Sequence, residues 1–446
     1  MIGSEVLGKL RDRLEGDVHL REVIRGSATF LILRIFGMVV AYAFTLLVTR
    51  KLGASAWGIF ALSFTVLQIA SVLSRLGLDG ALLRFIAQYK AQGKGKTAFS
   101  IYLKSLKVVI PISLFLTALL YYLSPIIADK VFNKDYLSEY LQIMSLGILP
   151  FTLLFINSES LRSLKKIKEY TFFQSIFPYF LAFAFVFMLL MFSFKLTEKE
   201  VVLSFVFAIF IACVFSFLFL IRELKNLSGN SEDIPLKSIL SVSLPMFMSS
   251  SLFMIMSWTD IIMLGIFRTQ EEVGIYNVAV RLSVITSFTL AAINSIAAPK
   301  FAELWGKKDL EGLKKVAQQS TKLIFWTSAP VLILYLLFPS FFMGLFGEEF
   351  KDGALALVIL TVGQFVNAAS GSVALILGMT GKQRFAMNII FVIVIINFIG
   401  NMLIIPKLGL IGAAAINMTT TIIWNAIFTI YIKMKYKFLT FALLFK

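Results

Sequence analysis

The sequence predicts an all-α polytopic membrane protein, with twelve transmembrane helices in two six-helix lobes related by a parallel pseudo-two-fold repeat. Three observations predict it. Mean hydropathy is +0.87, and only 15% of residues are charged against 59% hydrophobic; a soluble domain carries about a quarter charged residues. Apolar runs roughly twenty residues long recur along the whole chain, each able to cross about 30 Å of hydrocarbon. The chain is also written twice. Trp57-Gly58-Ile59-Phe60 returns as Val273-Gly274-Ile275-Tyr276, and Arg84-Phe85-Ile86-Ala87 returns as Lys300-Phe301-Ala302-Glu303. The turn Leu161 to Lys166 returns as Leu377 to Lys382, and all three blocks share an offset of 216 residues. A half-length duplication in a membrane chain marks a transporter with two equivalent lobes.

The elements follow in order. Residues 1–25 mix five basic and five acidic side chains and have no apolar core for a cleavable signal. Ile2, Val6, Leu10 and Leu14 recur near helical spacing, so this leader is either an amphipathic helix on the cytoplasmic surface or a solvated segment. Residues 26–222 form the first lobe, with spans near 26–49, 57–80, 101–123, 137–159, 170–194 and 200–221. Residues 223–238 have linker composition, rich in Ser, Asn and charge and ending near Pro235. The second lobe, 239–432, holds spans near 239–266, 272–296, 320–345, 353–378, 385–404 and 410–432, and a basic tail occupies 433–446. The connections 84–98 and 300–318 are too polar to span and are predicted to carry interfacial helices. Pro111, Pro150, Pro178, Pro245 and Pro330 fall within spans, where a missing ladder bond bends the helix.

Charge sets the side. With both termini in the cytoplasm, most of the 42 Lys and Arg residues fall inside, including Arg162, Lys165, Lys166 and Lys168 and the cluster Lys307, Lys308, Lys314 and Lys315. The net charge of +17 is then topology and an attraction for anionic membrane lipid, and it requires no nucleic-acid partner. His19 and Cys213 are each alone in the chain, which leaves no His/Cys metal site and no internal disulfide. Gly95-Lys96-Thr97 has the ending of a phosphate-binding loop, but position 90 is Lys90 where that motif needs glycine, and no strand precedes it. No cofactor is predicted.

Charge inside a span is expensive, about 2.5–3.5 kcal/mol on insertion scales, so each case asks for a reason. Gln68, Ser71, Arg75 and Asp79 follow spacings of three, four and four along span two, a continuous polar stripe. Arg75 and Asp79, one turn apart, can pair, and the stripe is read as the wall of a water-filled cavity. Arg34 lies about 12 Å into span one with no carboxylate at helical spacing, and must face a cavity, a partner helix or an anion. In the second lobe Asp260 and Arg281, with Asn277 one turn before it, lie toward the outer side, and an Asp260–Arg281 bridge is expected. Lys107 is shallow enough to snorkel, and Glu159 sits at a span end. Gln364/Asn367, Asn397/Asn401 and Asn417/Thr421/Asn425 read as polar contacts between helices. These charges break the repeat: Arg75 falls opposite Ala291, Arg34 opposite Ser250, Arg281 opposite Thr65 and Asp260 opposite Phe44.

Leu377-Gly378-Met379-Thr380-Gly381-Lys382-Gln383-Arg384, then Asn397 to Asn401, then Ile405-Pro406-Lys407-Leu408-Gly409-Leu410-Ile411-Gly412, resemble the C-terminal half of polysaccharide-biosynthesis membrane proteins, the O-antigen-type flippases. Arg50-Lys51-Leu52-Gly53-Ala54-Ser55-Ala56-Trp57-Gly58 looks like that family's first outer loop. The resemblance places the chain in the multidrug/oligosaccharidyl-lipid/polysaccharide exporter superfamily. It implies a V-shaped, alternating-access flippase for a polyprenyl-(pyro)phosphate-linked oligosaccharide, working beside glycosyltransferases and a glycan polymerase in the cell membrane. Arg34, Arg75, Arg281, Gln68, Ser71 and Asn277 are the expected substrate-binding residues, and Asp79 and Asp260 the residues expected to gate or to couple transport to H+ or Na+. The alternative is an ion-coupled multidrug or small-molecule exporter on the same fold. A membrane-embedded glycosyltransferase or ligase is disfavoured, because the outer loops are short.

Overall fold

A computed structural model describes residues 18–192 and 195–442. Among these, every regular element is a helix, and the one extended pairing joins Lys94 to Gly229. In chain order the first half comprises α1 (Val18–Arg75), α2 (Leu78–Ala91), α3 (Gly95–Ile126), α4 (Leu137–Ser145), α5 (Ile148–Ser163), α6 (Ile167–Thr171), α7 (Phe177–Met191) and α8 (Glu198–Lys225). The second half comprises α9 (Leu236–Phe267), α10 (Gln270–Val284), α11 (Phe288–Gly306), α12 (Leu310–Leu337), α13 (Pro339–Gly344), α14 (Ala354–Ser370), α15 (Val373–Met379) and α16 (Gln383–Tyr436). Eight helical stretches of the described residues are long and apolar enough to cross a membrane. They are nine if α4 and α5, bent by 44°, make one span.

The polar residues at the helix ends explain where several helices begin. Thr197 and Glu200 close a capping box on α8, the Thr197 N–H donating to Glu200 Oε2 at 2.9 Å. Thr269 caps α10 by accepting from the Glu272 N–H, and Asp309 caps α12 by accepting from the Gly312 N–H at 2.8 Å. Inside an apolar run, glycine marks the breaks. α1 kinks at Gly53 (φ 84°) and α16 at Gly409 (φ 54°), which separates predicted spans one from two and eleven from twelve. Pro178 lies in the first turn of α7, after the wide turn Phe172–Ile176, where its missing N–H has no ladder partner to lose.

Two boundaries differ from expectation, and two connecting segments are fastened to the bundle. Span two ends at Arg75, because Leu76 and Gly77 turn left-handed (φ 46° and 74°), and Asp79 opens a separate helix, α2. The connection 300–318 carries no helix of its own; it is the end of α11 and the start of α12. The linker is strapped down. Gly95 N–H donates to Ser228 O at 3.0 Å, Thr97 Oγ1 donates to Asn230 O at 3.3 Å, and Glu232 N–H donates to Thr97 Oγ1 at 2.8 Å. Lys94 pairs with Glu232 at 2.6 Å, a hydrogen bond that raises the Lys94 pKa, and Lys104 pairs with Asp233. Gly95 and Thr97, the residues of the false phosphate-loop motif, thus bind the strap. The tail folds back too: Phe438 is buried and Leu439 O accepts from Gln318 Nε2 at 3.0 Å. Of the leader, residues 18–25 already belong to α1, and the amphipathic positions at Ile2 to Leu14 lie outside the described residues.

The cores show how the halves meet. One cluster draws on both, with Phe44, Trp57, Phe60 and Phe205 from the first half and Tyr276, Leu282, Leu357 and Ala413 from the second. Its centre is aromatic: the Phe60 ring lies 5.0 Å from both Trp57 and Phe205, and Phe64 lies 5.1 Å from Phe205. At the other end of the bundle there are separate clusters. One holds Leu82, Ile101, Leu161 and Leu220 with Ile239 from the start of α9, and the other holds Phe301, Leu313, Leu377 and Phe428.

The joined end contains Gly58 and Gly274, partners in the 216-residue repeat. A Cβ on Gly58 would strike the Gln270 carbonyl, and a Cβ on Gly274 would strike the Ala54 carbonyl, which is the symmetric contact. The two close approaches are equivalent under the 216-residue offset, which carries Ala54 to Gln270 and Gly58 to Gly274. Charged side chains cap helix ends across the same seam. Glu349 Oε1 accepts from the Ala54 N–H at 2.5 Å, at the start of the arm past Gly53. Lys134 Nζ donates to Gly265 O at 2.7 Å and Arg268 O at 2.5 Å, at the end of α9.

Candidate functional site

Among the buried polar clusters of the described residues, one in each half is built on a predicted charged residue, Arg75 in the first and Asp260 in the second. In the first half, Arg75 is the last residue of α1 and only 5% exposed. Its Nη1 lies 3.1 Å from Asp79 Oδ2, its guanidinium sits 4.3 Å above the Phe155 ring, and Nε reaches Ser71 O at 3.4 Å. Glu159, paired with Arg162 at 3.4 Å, is near enough to act on Arg75 electrostatically. Ser71 is buried and its Oγ accepts from Thr152 Oγ1 at 3.0 Å, while Gln68 is half-buried. Ser71 and Arg75 therefore meet α5 through Thr152 and Phe155. The stripe expected as one helical cavity wall is split by the turn at Leu76 and Gly77, yet that turn still delivers Asp79 to Arg75. Arg34 is exposed on the first arm of α1, within electrostatic range of Tyr170. Lys107 is exposed on α3.

In the second half, Asp260 is 1% exposed on α9. Tyr276 Oη and Asn417 Nδ2 each donate to Oδ2 at 2.7 Å, and Asn401 Nδ2 donates to Oδ1 at 2.7 Å with Asn397 Nδ2 at 3.5 Å. Four neutral groups, from α10 and the two arms of α16, thus surround one carboxylate, and Asn401 Oδ1 is buried with no hydrogen-bond partner. The expected Asp260–Arg281 bridge is absent. Tyr276 and Arg281 are five residues apart on α10, about 140° around the helix. Tyr276 turns toward α9 and α16, and Arg281 turns toward α1. There Arg281 Nε donates to Asn277 Oδ1 at 3.1 Å, Nη1 donates to Thr45 Oγ1 at 3.3 Å, and the guanidinium lies 5.1 Å from the Trp57 ring. Trp57 Nε1 donates to the same Asn277 oxygen at 3.1 Å, and Tyr42 Oη donates to Arg281 O at 2.7 Å. Asn277 and Arg281 therefore stitch the two halves together.

Asn397, Asn401 and Asn417, expected as polar contacts between helices, are the shell of the buried acid. Their signal in the sequence was the pair at i and i+4 on one face of span eleven. Tyr276 carried none, because a tyrosine in an apolar span reads as packing. Among the described residues no three His, Cys, Asp or Glu side chains gather as metal ligands.

The comparisons with known proteins agree with this architecture. The profile of the family described as "Polysaccharide biosynthesis protein" matches residues 23–305, and the profile described as "MatE" matches residues 245–403. The "Probable low-salt glycan biosynthesis flippase Agl15" of Haloferax volcanii is 24% identical over 405 residues, covering 88% of this chain and 80% of that protein. Among solved structures, an inward-facing multidrug resistance MATE family transporter of the MOP superfamily superposes with a TM-score of 0.75 at 14% identity, over 91% of this chain and 98% of that one. The lipid II flippase MurJ, in an inward closed conformation, superposes with a TM-score of 0.73 at 14% identity, over 91% of this chain and 87% of that one.

Proposed function

The chain belongs to the polysaccharide biosynthesis protein family, and from that membership we propose that it flips a polyprenyl-(pyro)phosphate-linked oligosaccharide from the cytoplasmic to the outer leaflet of the cell membrane. In this reading α1 and α16 each count as two spans about Gly53 and Gly409, which with α9 and the other apolar stretches makes twelve spans in two six-helix lobes. Both termini are cytoplasmic. The shared core then lies at the outer end, and at the inner end, where glycosyltransferases build the substrate, the start of α9 packs against α2, with Ser243 beside Gly77. A glycan polymerase would consume the product outside.

The observation that carries the substrate assignment is the pair Arg75–Asp79. Arg75 is buried, and its carboxylate partner is half-exposed, with a side-chain exposure of 30%. A lipid phosphate can replace Asp79 on the guanidinium, exchanging one charge-assisted pair for another, so Asp79 acts as a gate. Arg34, exposed on the neighbouring arm, adds a second cation. Gln68, Ser71 and Asn277 supply neutral polar contacts, and Arg281 engages the headgroup once the seam at Trp57 parts. Outward movement of a negative headgroup in an inside-negative cell gains roughly 2.3 kcal/mol per charge per 100 mV. Asp260, a carboxylate among neutral donors, is suited to take up H+ or Na+ and to couple its occupancy to α9, α10 and α16.

The test is transport of a labelled prenyl-linked glycan in proteoliposomes. An Arg34→Ala/Arg75→Ala double variant is expected to lose transport, and undiminished flux would overturn the assignment. The second reading, an ion-coupled small-molecule exporter, is favoured by one observation: the MatE match covers Asp260 with Tyr276, Asn397 and Asn401. Small-molecule efflux that survives loss of both arginines and vanishes in Asp260→Asn would establish that reading instead.

A further inference from the structure

A lateral groove of about 370 Å³ lies between the two halves. Ile69, Val72 and Leu73 of α1 form one wall, Ile255 and Trp258 of α9 the facing wall, and Phe398 of α16 closes it. The volume is within the usual small-ligand range of about 300–1,000 Å³. Two hydroxyls line it, and both are spent on their own helix: Ser251 Oγ donates to Phe247 O and Thr259 Oγ1 to Ile255 O, each at 2.7 Å. What the groove presents is therefore hydrocarbon and an indole ring. Leu73 is 45% exposed and Phe398 48%, so it opens sideways, in the plane where the acyl chains of a bilayer lie.

An apolar slot alone does not choose among lipids; its neighbour does. Val72 and Arg75 are three residues apart on α1, one turn of the same helix. Arg75 lies one turn past Val72, its guanidinium held by Asp79 and the Phe155 ring. A ligand fitting both has an apolar stem leading into an anionic group within one helical turn. A tail tethered to a headgroup on Arg75 reaches the groove at a high effective concentration, which loose membrane lipid lacks. We propose that this groove seats the first isoprene units of the carrier lipid while its phosphate engages Arg75. The assignment rests on the flippase reading and deepens it by locating the tail. Because the walls come from both halves, relative movement of the halves would widen or narrow the slot.

The test is binding to the full-length protein in nanodiscs, with undecaprenyl phosphate, farnesyl phosphate, dioleoyl phosphatidic acid and inorganic phosphate as probes. Leu73→Trp and Ile255→Trp fill the groove at exposed positions. Each is expected to weaken undecaprenyl phosphate about tenfold, the equivalent of losing burial of a few methylenes, and to leave inorganic phosphate unchanged. Phe398→Ala, which removes a wall, should weaken undecaprenyl and farnesyl phosphate alike and keeps the test open if a filled variant misfolds. Unchanged affinity in all three variants overturns the groove while leaving the flippase reading intact. Equal binding and equal losses for phosphatidic acid also overturn it, since the slot would then take any lipid chain. A wild-type protein that binds phosphatidic acid but not undecaprenyl phosphate would sink the flippase reading itself.

Discussion

Asp260 is held by Tyr276, Asn397, Asn401 and Asn417, and the energetic consequence can be measured. Asp260→Leu strands a buried hydroxyl and three amides, at about 3–5 kcal/mol, whereas Asp260→Asn keeps the shape and retains part of the bonding, at about 1–2 kcal/mol. Thermal unfolding in detergent should rank them in that order. In transport, Asp260→Asn should abolish dependence on an ion gradient while leaving dependence on membrane potential. At Arg281 the contacts are of another kind. Trp57→Phe removes the N–H to Asn277 and also leaves a cavity in the aromatic core, where Trp57 is fully buried, so about 2–3 kcal/mol of stability should be lost. The sequence marked Asp260, Asn277 and Arg281, because polar groups in apolar spans stand out. It paired the wrong two, because pairing depends on which side of α10 each residue faces, and an angle of about 140° is decided by where the neighbouring helices lie. Near the end of α11, Glu303 is held at a pKa of about 2 by hydrogen bonds to Lys307 and Lys300. Its stabilising contribution is complete above the ordinary carboxylate pKa and lost as the pH falls toward 2, so Glu303→Gln should flatten any change in melting temperature across that window.

Among the elements, helix breaks were the hardest features to read. Hydropathy runs unbroken through Arg75, Leu76 and Gly77, and a glycine in an apolar run is as often packing as punctuation. The turn is set by left-handed backbone at two residues and by the start of α9, whose Ser243 carbonyl would collide with any Cβ on Gly77. Gly77→Ala should therefore cost more than the roughly 1 kcal/mol of an ordinary glycine in αL, read from the unfolding midpoint. The linker misled in the opposite direction. Its composition is that of a free tether, yet Thr97 alone makes two hydrogen bonds to it. Thr97→Ala should speed proteolysis within 226–235 and leave the helical content unchanged, because the strap rather than the helices loses its fastening. The polytopic helical class, by contrast, was legible, since crossing hydrocarbon requires about twenty apolar residues whatever their neighbours, and eight helical stretches of the described residues meet that demand.

For the whole molecule, the seam at Gly58 and Gly274 is the organising contact. Backbone meets backbone there in a two-fold arrangement, and Glu349 and Lys134 cap helix ends across it. Gly58→Leu cannot be accommodated without parting the halves. It should raise the labelling of cysteines placed at the seam, against a clean background, because the native Cys213 is single and buried. A cross-link between Ala54→Cys and Gln270→Cys should stop transport if the seam must open in each cycle. The sequence by itself determined the membrane class, the duplication, the family and which residues carry charge where charge is costly. Those are properties of composition, period and order, and each is paid locally in the free energy of burying a residue in lipid. Only the tertiary structure decided that Asp260 faces asparagines and a tyrosine, that Arg75 is held by the first turn of another helix, and that one aromatic core joins the two halves around Gly58 and Gly274. Each depends on how helices far apart in the chain are rotated and brought together, and side chains that are equivalent in hydropathy leave that rotation undetermined until the helices pack.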